Sequence, residues 1–280
     1  MGERVIDVKV LEAFEVHLRD DEKSEATIEK YMRDVKAFTA FAKNRCIDKA
    51  LVIDYKTFLS EKHAVRSANS MIAAINAFFR FVEWFDCCVK QYKVQRQAFC
   101  PEEKELTRAE YIRLVNAAKK EGNKRLDLII QTICATGIRV SELQYITMEA
   151  VIKGEAVVSC KGKTRKIFIV PELRKQLLKY AQKQGITAGM IFITRSGKPV
   201  SRCNIWREMK SLCNQANVAP GKVFPHNLRH LFARTFYNIE KDIAKLADIL
   251  GHTSINTTRI YTITTGAEHK RKMENMHLII

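Results

Sequence analysis

Four short strings in the sequence carry side chains that could act together on a phosphate ester. They are Ala-Thr-Gly-Ile-Arg-Val-Ser-Glu-Leu at 135–143, a basic turn that begins at Lys161, His-Asn-Leu-Arg-His at 226–230, and a stretch from Leu250 to Tyr261. Each string alone is a weak signal, because a lone arginine or a His-x-x-Arg pair occurs by chance in many proteins. Jointly they supply the arginine, lysine, histidine and tyrosine groups that phosphodiester exchange requires.

Two arginines are candidates for holding the reacting phosphate. In-line attack on phosphorus spreads negative charge over the non-bridging oxygens, and two guanidinium groups can bind those oxygens bidentately without a metal ion. Arg139 and Arg229 are the arginines of the first and third strings.

Tyr261 is the candidate nucleophile, and it needs both a base and an acid nearby. A phenol with a reference pKa of about 10 must lose its proton to attack, and the departing sugar oxygen must gain one. His226 can help to take the proton from Tyr261, while Lys161 can reach into a DNA groove and protonate the leaving oxygen. His252 is placed to hydrogen-bond the phosphate.

These strings resemble the tyrosine recombinase (phage integrase) family, which includes lambda-type integrases and the Xer recombinases. Arg139 with Glu142 resembles the first-arginine motif and its supporting carboxylate, and His226, Arg229 and His230 resemble the H-x-x-R-H motif. Leu250-Gly251-His252, with Tyr261 nine residues beyond the histidine, resembles the nucleophile region. The resemblance implies cleavage through a 3′-phosphotyrosyl bond with release of a 5′-hydroxyl, and religation without ATP.

Three lysines lie in or beside the basic turn: Lys161, Lys163 and Lys166. The register of the resemblance favours Lys161, followed by Gly162, as the catalytic lysine. Lys163, Arg165 and Lys166 are then expected to contact DNA phosphates.

Neither a nucleotide cofactor nor a metal is expected. Gly162-Lys163-Thr164 lacks the upstream glycine of a phosphate-binding loop, since position 157 is Val157. His226 and His230 are spaced like zinc ligands on a helix, but an arginine rather than a glutamate lies between them, and its charge would repel a cation.

The spacing of apolar residues predicts the elements that position these groups. The first hundred residues show four amphipathic stripes typical of a small helical bundle, and their aromatic residues are expected in its core. A region of faded periodicity follows, and then Thr107 and Glu110 form a capping box that opens a new helix. Further helices are predicted at 126–136, 141–145, 171–180, 201–215, 226–237 and 242–250, and around 258–262.

Two strands, 156–160 and 165–170, are predicted as a hairpin joined by a turn at 161–164. The predicted fold is therefore mainly α with a small β-sheet. A helical domain is predicted at 1–95, a linker at 96–105 and an α+β domain at 106–280. The resemblance implies that the first is a core-binding (SAM-like) domain and the second the catalytic domain. The resemblance implies that the two domains clamp DNA.

The charge is concentrated in the second domain. The chain has 48 basic and 31 acidic residues, and the first 100 residues hold 17 basic against 15 acidic ones. This balance favours a polyanionic partner, double-stranded DNA, bound mostly by residues 101–280. Eight cysteines without a C-x-x-C pair predict reduced thiols in a cytoplasmic protein, and no apolar run predicts a membrane span.

The function predicted is site-specific DNA recombination, in integration or excision of a mobile element or in chromosome resolution. A type IB topoisomerase would use similar residues but act as a monomer and reseal the same strand, and a DNA-binding regulator could retain the fold without the chemistry. The resemblance implies a homotetrameric synapse. The apolar end of the tail at 266–280 is expected to pack on a neighbouring protomer, with docking on its own domain as the alternative.

Overall fold

A computed structural model of the chain describes residues 4–43, 45–94, 105–160, 163–252, 254–261, 270 and 273–276. The chain divides into two compact units, Met1–Arg96 and Gln97–Ile280. The predicted linker at 96–105 lies almost wholly outside the described residues. None of the helices in the described ranges is long and apolar enough to cross a bilayer.

The first unit is a bundle of helices whose apolar stripes meet in one core. Its helices are α1 (Val8–Asp20), α2 (Glu25–Ala42), α3 (Lys49–Lys62) and α4 (Val65–Phe81). Phe14, Phe38, Phe78 and Phe79 are completely buried, and Phe14 and Phe38 meet their partners on α4 edge to face. The prediction that the aromatic stripes form the core is confirmed.

The N-terminal caps of these helices differ from one another. Asp7 and Asp48 accept hydrogen bonds from backbone N–H groups of α1 and α3, which satisfies donors that have no partner inside the helix. Ser24 precedes α2 as predicted, but its hydroxyl bonds to the Thr27 side chain and makes no cap hydrogen bond.

The segment that follows the bundle is fastened to α4 by two asparagines. Asn76 accepts from the Val89 N–H at 3.0 Å and donates to the Val89 carbonyl at 2.8 Å. Asn69, two turns earlier, bonds the N–H and the carbonyl of Tyr92 in the same way. Each asparagine side chain pairs with the N–H and the carbonyl of one residue, as a neighbouring strand does in a β-sheet. Residues 89–92 therefore run along α4 in a fixed register.

The second unit contains the predicted capping box, with both of its hydrogen bonds formed between Thr107 and Glu110. Its helices and strands, in chain order, are α5 (Arg108–Lys120), α6 (Lys124–Thr136), α7 (Met148–Lys153), β1 (Glu155–Cys160), β2 (Lys163–Phe168), α8 (Pro171–Lys183), α9 (Arg202–Ser211), α10 (Cys213–Ala216), α11 (Pro225–Glu240), α12 (Ile243–Leu250) and α13 (Ile255–Thr258). Short 3₁₀ helices at Val140–Tyr145 and Arg259–Tyr261 carry functional residues.

Helix α6 is the central element of this unit. Nearly every face of α6 carries buried apolar side chains, and α5, α8 and α11 pack around it. Its end is set by Gly137, which adopts φ +66°. A β-carbon there would lie 2.3 Å from the Phe232 ring on α11, so this close approach requires glycine.

The strands pair in an antiparallel hairpin whose register places Cys160 opposite Lys163. The predicted turn at 161–164 is therefore too long, because Lys163 and Thr164 already belong to β2. One face of the hairpin buries Ala156, Val158 and Ile167 in the domain core, as the period of two requires.

Two other predictions about elements are corrected, and one helix was not predicted. The helix expected at 201–215 divides at Leu212 into α9 and α10. The helix expected around 258–262 is α13 followed by the 3₁₀ turn Arg259–Tyr261, and Thr262 lies outside the described residues. Helix α7 was not predicted, although Thr147 caps it and Gly154 ends it in the left-handed region.

Candidate active site

The site is built around the carboxyl ends of two helices. Helix α6 ends at Gly137 and α12 ends at Gly251, and both glycines adopt a left-handed conformation. The last carbonyls of a helix have no partner within it and lie at the negative end of the helix dipole. Positive side chains are therefore stabilised where these two ends converge.

Arg229 occupies that position. It lies near the beginning of α11, which Pro225 opens, and its guanidinium donates to the Gly137 carbonyl at 2.5 Å and the Leu250 carbonyl at 2.7 Å. The residue is only 1% exposed. Arg229 thereby joins the ends of α6 and α12, and it is held in place before any substrate is bound.

Arg139 is the more accessible arginine. It follows the end of α6 by two residues, and Glu142 accepts from its backbone N–H at 2.7 Å and from its Nη1 at 2.9 Å. The Arg139 side chain is 36% exposed, against 3% for the Glu142 carboxylate. Its other terminal nitrogen lies 3.4 Å from the Gly251 carbonyl, so it too faces the end of α12.

An open cleft of about 680 Å³ adjoins the two arginines. Arg139, Arg229 and His226 line one part of it. Helix α9 adds Arg202 and Arg207 on the other part, with Trp206 between them in sequence. Four arginines around one cleft create a strongly positive surface, and a polyanion is the ligand that such a surface favours.

Tyr261 lies inside the same domain, packed between two histidines. Its ring is 4.7 Å from the His230 ring, nearly perpendicular to it, and 5.9 Å from the His252 ring, nearly parallel to it. His226 continues the cluster, with its ring 4.7 Å from that of His230. Tyr261 is 3% exposed and is close enough to Arg229 to raise that arginine's pKa. The same chain thus supplies the tyrosine and the arginines.

The hydrogen bonds of His252 indicate which of its nitrogens carries the proton. Its Nε2 lies 3.1 Å from Arg229 Nη2, which can only donate, so Nε2 accepts. Its Nδ1 lies 2.8 Å from the hydroxyl of the fully buried Thr258, to which it donates. His252 is therefore oriented by α13 on one side and by Arg229 on the other.

The three histidines are neutral at pH 7. Burial, followed by the charges of Arg229 and Arg139, lowers the pKa of His252 to about 4. Burial, followed by His226 and Arg229, lowers the pKa of His230 to about 4. Burial and nearby arginines also lower the pKa of His226, so its imidazole is free to accept a proton.

Arg229 remains protonated in this setting. Burial, followed by the charge of Arg139, lowers the pKa of Arg229 to about 10. The nearby Tyr261 acts in the opposite direction and raises that pKa. The guanidinium still carries its charge at neutral pH, where stabilisation of a phosphate is needed.

The residues of the basic hairpin are placed differently from one another. Arg165 turns inward, donating to Glu142 and to the Leu250 carbonyl, each at 2.7 Å, and its side chain is 13% exposed. This placement differs from the expected DNA contact at Arg165, because both terminal nitrogens are engaged within the protein. Lys166 is 61% exposed beside Glu155, as a phosphate contact would be. Lys163 lies on β2, and Lys161 lies outside the described residues.

Sequence reasoning missed two groups that the structure brings to the site. Thr258, which orients His252, belongs to the Thr-Thr-Arg-Ile-Tyr string, and its spacing of six from His252 was the available signal. Arg202 and Arg207 on α9 carried no local signal beyond their charge. Among the described residues, no group of three histidine, cysteine, aspartate or glutamate side chains could hold a metal ion.

A helical bundle joined to a mainly helical domain with a small hairpin, and a site that combines two arginines, histidines and a tyrosine, define a tyrosine recombinase. Enzymes of this class carry out site-specific DNA recombination. The chain belongs to the phage integrase family, whose sequence profile matches residues 104–267. Residues 11–85 match the phage integrase N-terminal SAM-like domain.

Curated relatives and solved structures agree with this assignment. The chain is 27% identical to tyrosine recombinase XerA from Pyrococcus furiosus, over 100% of this chain and 98% of the relative. It is 28% identical to tyrosine recombinase XerD from Halalkalibacterium halodurans, over 91% and 92% of the two chains.

Among solved structures, a XerA recombinase matches with a TM-score of 0.54 at 25% identity, over 97% of this chain and 98% of the other. Two more distant structures share the fold. A lambda integrase dimer bound to a core site matches with a TM-score of 0.73 at 17% identity, over 92% and 78%. XerH recombinase bound to its difH substrate matches with a TM-score of 0.70 at 18% identity, over 97% and 90%.

Proposed function

We propose that the oxygen of Tyr261 attacks a phosphorus of double-stranded DNA. A 3′-phosphotyrosyl bond forms, the bond to the 5′-oxygen breaks, and a 5′-hydroxyl departs. His226 helps to take the proton of the phenol, and Lys161 donates a proton to the departing oxygen. The ester bond is conserved in the intermediate, so the reverse reaction with a different 5′-hydroxyl joins a new strand without ATP.

The observation that carries the proposal is the position of Tyr261 between His230 and His252, beside Arg229. In this reaction Arg139 and Arg229 hold the non-bridging oxygens. His252 hydrogen-bonds the phosphate after its proton moves from Nδ1 to Nε2, with Thr258 then donating to Nδ1. Glu142 supports Arg139, and His230 supports the tyrosine.

The geometry adds a step before the attack. Tyr261 is 3% exposed and is not among the residues that line the cleft. A phosphate held in the cleft by Arg139 and Arg229 would be reached by a shift of the short 3₁₀ turn Arg259–Tyr261. We place this release of Tyr261 from its two histidines after DNA binding and before cleavage.

The assembly that acts on DNA is proposed to be a tetramer in which pairs of protomers cleave in turn. Support comes from a lambda integrase tetramer solved on a Holliday junction, which matches with a TM-score of 0.73 at 18% identity.

The two domains are proposed to clamp the duplex, with Lys163 and Lys166 on its phosphates. Integration or excision of a mobile element and resolution of chromosomes both use this chemistry. Most of the tail at 266–280, proposed to pack on a neighbouring protomer, lies outside the described residues.

A nicked suicide substrate tests the proposal, because the nick lets the short 5′-ended fragment diffuse away and traps the covalent complex. Substrates are drawn from DNA flanking the gene. We expect trapping by the native protein, and products in which strands from two duplexes are joined. Relaxation of supercoiled DNA with no intermolecular product would indicate a topoisomerase, and binding without trapping would indicate a regulator.

A further inference from the structure

We propose that Arg165 is a positioning residue for the cleavage reaction, rather than a DNA contact. Its guanidinium connects strand β2 to the Glu142 carboxylate, which holds Arg139. It also connects β2 to the Leu250 carbonyl, which holds Arg229. The inference rests on the proposed function, because it concerns the alignment of the two phosphate-binding arginines with the hairpin that carries the lysine.

The first observation is that Arg139 and Arg165 share one buried carboxylate. Glu142 Oε1 accepts from Arg139 Nη1 at 2.9 Å, and Glu142 Oε2 accepts from Arg165 Nη2 at 2.7 Å. Glu142 is 3% exposed, so water offers little competition for these bonds. A carboxylate held from both sides cannot rotate away from Arg139, and Arg165 thereby fixes the support of the first arginine.

The second observation is that Arg165 and Arg229 share one carbonyl. The Leu250 carbonyl accepts from Arg165 Nη1 and from Arg229 Nη2, each at 2.7 Å. Leu250 is the last residue of α12, two residues before His252. A continuous chain of contacts therefore runs from Arg139 through Glu142, Arg165 and Leu250 to Arg229.

The third observation is that the backbone is shaped to receive this guanidinium. Gly251 has φ +64°, and a β-carbon built on it would lie 2.3 Å from Arg165 Nη1 and 2.9 Å from its Cδ. The Arg165 side chain thus packs directly against the α-carbon of Gly251. Glycine at this position serves both the helix end and the close approach of Arg165.

The hairpin makes this arrangement relevant to catalysis. Arg165 lies opposite Val158 in the ladder, two residues after the start of β2 and four residues beyond Lys161. Anchoring β2 at Arg165 fixes the half of the hairpin that adjoins its turn relative to both arginines and His252. Loss of this anchor would misalign the groups by a fraction of an ångström to an ångström, and a misplacement of that size can reduce a rate about 100-fold.

The test separates the rate of cleavage from the affinity for DNA. Single-turnover cleavage of a suicide substrate at saturating DNA gives the cleavage rate. Titration of a non-cleavable duplex gives the dissociation constant. For Arg165→Ala we expect the cleavage rate to fall about 10- to 100-fold, with the dissociation constant changed less than about threefold. Arg165→Lys keeps the charge but lacks the forked geometry, so we expect native DNA affinity and a cleavage rate between those of Arg165→Ala and the native protein.

Lys153→Ala is the matched control, because it removes an exposed basic side chain that pairs with Glu155 and contacts neither phosphate-binding arginine. Its cleavage rate at saturation and its dissociation constant should both stay within about threefold of the native values. Gly251→Ala, which fills the space that Arg165 occupies, should reproduce the cleavage defect. Urea unfolding of each variant identifies any that is unfolded, and Arg165→Lys then carries the test.

The inference is overturned if Arg165→Ala cleaves within about threefold of the native rate at saturation and binds DNA more weakly, because Arg165 would then be a DNA contact. It is also overturned if Arg165→Lys restores cleavage fully, because charge alone would then suffice. Failure of the proposed function looks different: Tyr261→Phe would still form covalent complexes, whatever Arg165 does.

Discussion

At the scale of single residues, the two arginines of the site differ in how they are held. Arg229 is buried and donates to carbonyls at the ends of two helices, whereas Arg139 is partly exposed and depends on Glu142. Both line the cleft. Arg229 links the ends of α6 and α12 through short hydrogen bonds, whereas Arg139 reaches α12 only through a 3.4 Å contact with the Gly251 carbonyl.

This difference gives a prediction for the two alanine variants. Arg139→Ala and Arg229→Ala should each slow single-turnover cleavage about 100-fold or more, because each removes a preorganised charge donor. Only Arg229→Ala should also lower the free energy of unfolding, by about 1–3 kcal/mol, since it removes the Arg229 donor from the buried Gly137 carbonyl and one of the two donors to the Leu250 carbonyl. Urea unfolding checks the second part. Equal stability of the two variants would contradict the structural role of Arg229.

The lowered pKa values of His230 and His252 predict a dependence of stability on pH. In the unfolded chain these imidazoles take up protons near pH 6.5, but in the folded protein only near pH 4. Their contribution to stability is therefore complete above about pH 6.5 and is lost as the pH falls toward about 4. Urea midpoints at several pH values should decrease over this window.

The control for that prediction is the variant with His230→Asn and His252→Asn, which lacks both titrating rings. Carboxylates also titrate at acidic pH, so the comparison is between slopes rather than between single values. The variant should lose less stability between pH 6.5 and pH 4.5 than the native protein does. An identical slope in the two proteins would show that these histidines ionise equally well in the folded and unfolded states.

At the scale of elements, the asparagine pair on α4 fixes the point at which the chain leaves the first unit. Asn76 is 8% exposed, and both of its side-chain hydrogen bonds go to the backbone of Val89. At Val89, the course of the segment along α4 therefore depends on this side chain, as it depends on Asn69 at Tyr92.

Asn76→Ala should destabilise the first unit by about 1–3 kcal/mol, because the amide and carbonyl of Val89 lose their partners in a buried position. Differential hydrogen exchange at Val89 measures this locally, and protection there should fall strongly. Lys90→Ala, an exposed neighbour in the same segment, is the control and should change neither quantity. Unchanged protection of Val89 in Asn76→Ala would contradict the role assigned to the hydrogen bonds between Asn76 and Val89.

Much of the element level follows from local sequence rules. The Thr107 and Glu110 capping box, the helix ends at Gly137 and Gly251, and the hairpin faces all follow from spacing and residue type. The inward turn of Arg165 does not, because it depends on α12 packing beside β2, far away in sequence. The motif strings likewise predict which residues are candidates, but not that Tyr261 packs between His230 and His252.

At the scale of the whole molecule, the formal net charge is +17 at pH 7. Some arginines, such as Arg229 and Arg165, form hydrogen bonds within the protein. Others, such as Arg202 and Arg207, line the cleft. The excess charge that remains favours release of counterions from DNA on binding.

DNA binding should therefore weaken steeply with salt. For a protein that neutralises about six to ten phosphates, affinity falls about 1000-fold or more between roughly 50 and 200 mM monovalent salt. Fluorescence anisotropy with a labelled, non-cleavable duplex gives the slope. A response that is flat over this range would contradict broad contact with the phosphate backbone.

The central claim is that the phenolic oxygen of Tyr261 becomes bonded to DNA phosphorus, and mapping the covalent complex tests it most directly. The native protein is trapped on a suicide substrate, digested with nuclease and protease, and its peptides are sequenced by mass spectrometry. We expect a nucleotide 3′-phosphate on the peptide containing Tyr261, and no adduct from Tyr261→Phe although that variant binds DNA normally. A nucleotide on any other residue, or an adduct that survives Tyr261→Phe, would contradict it.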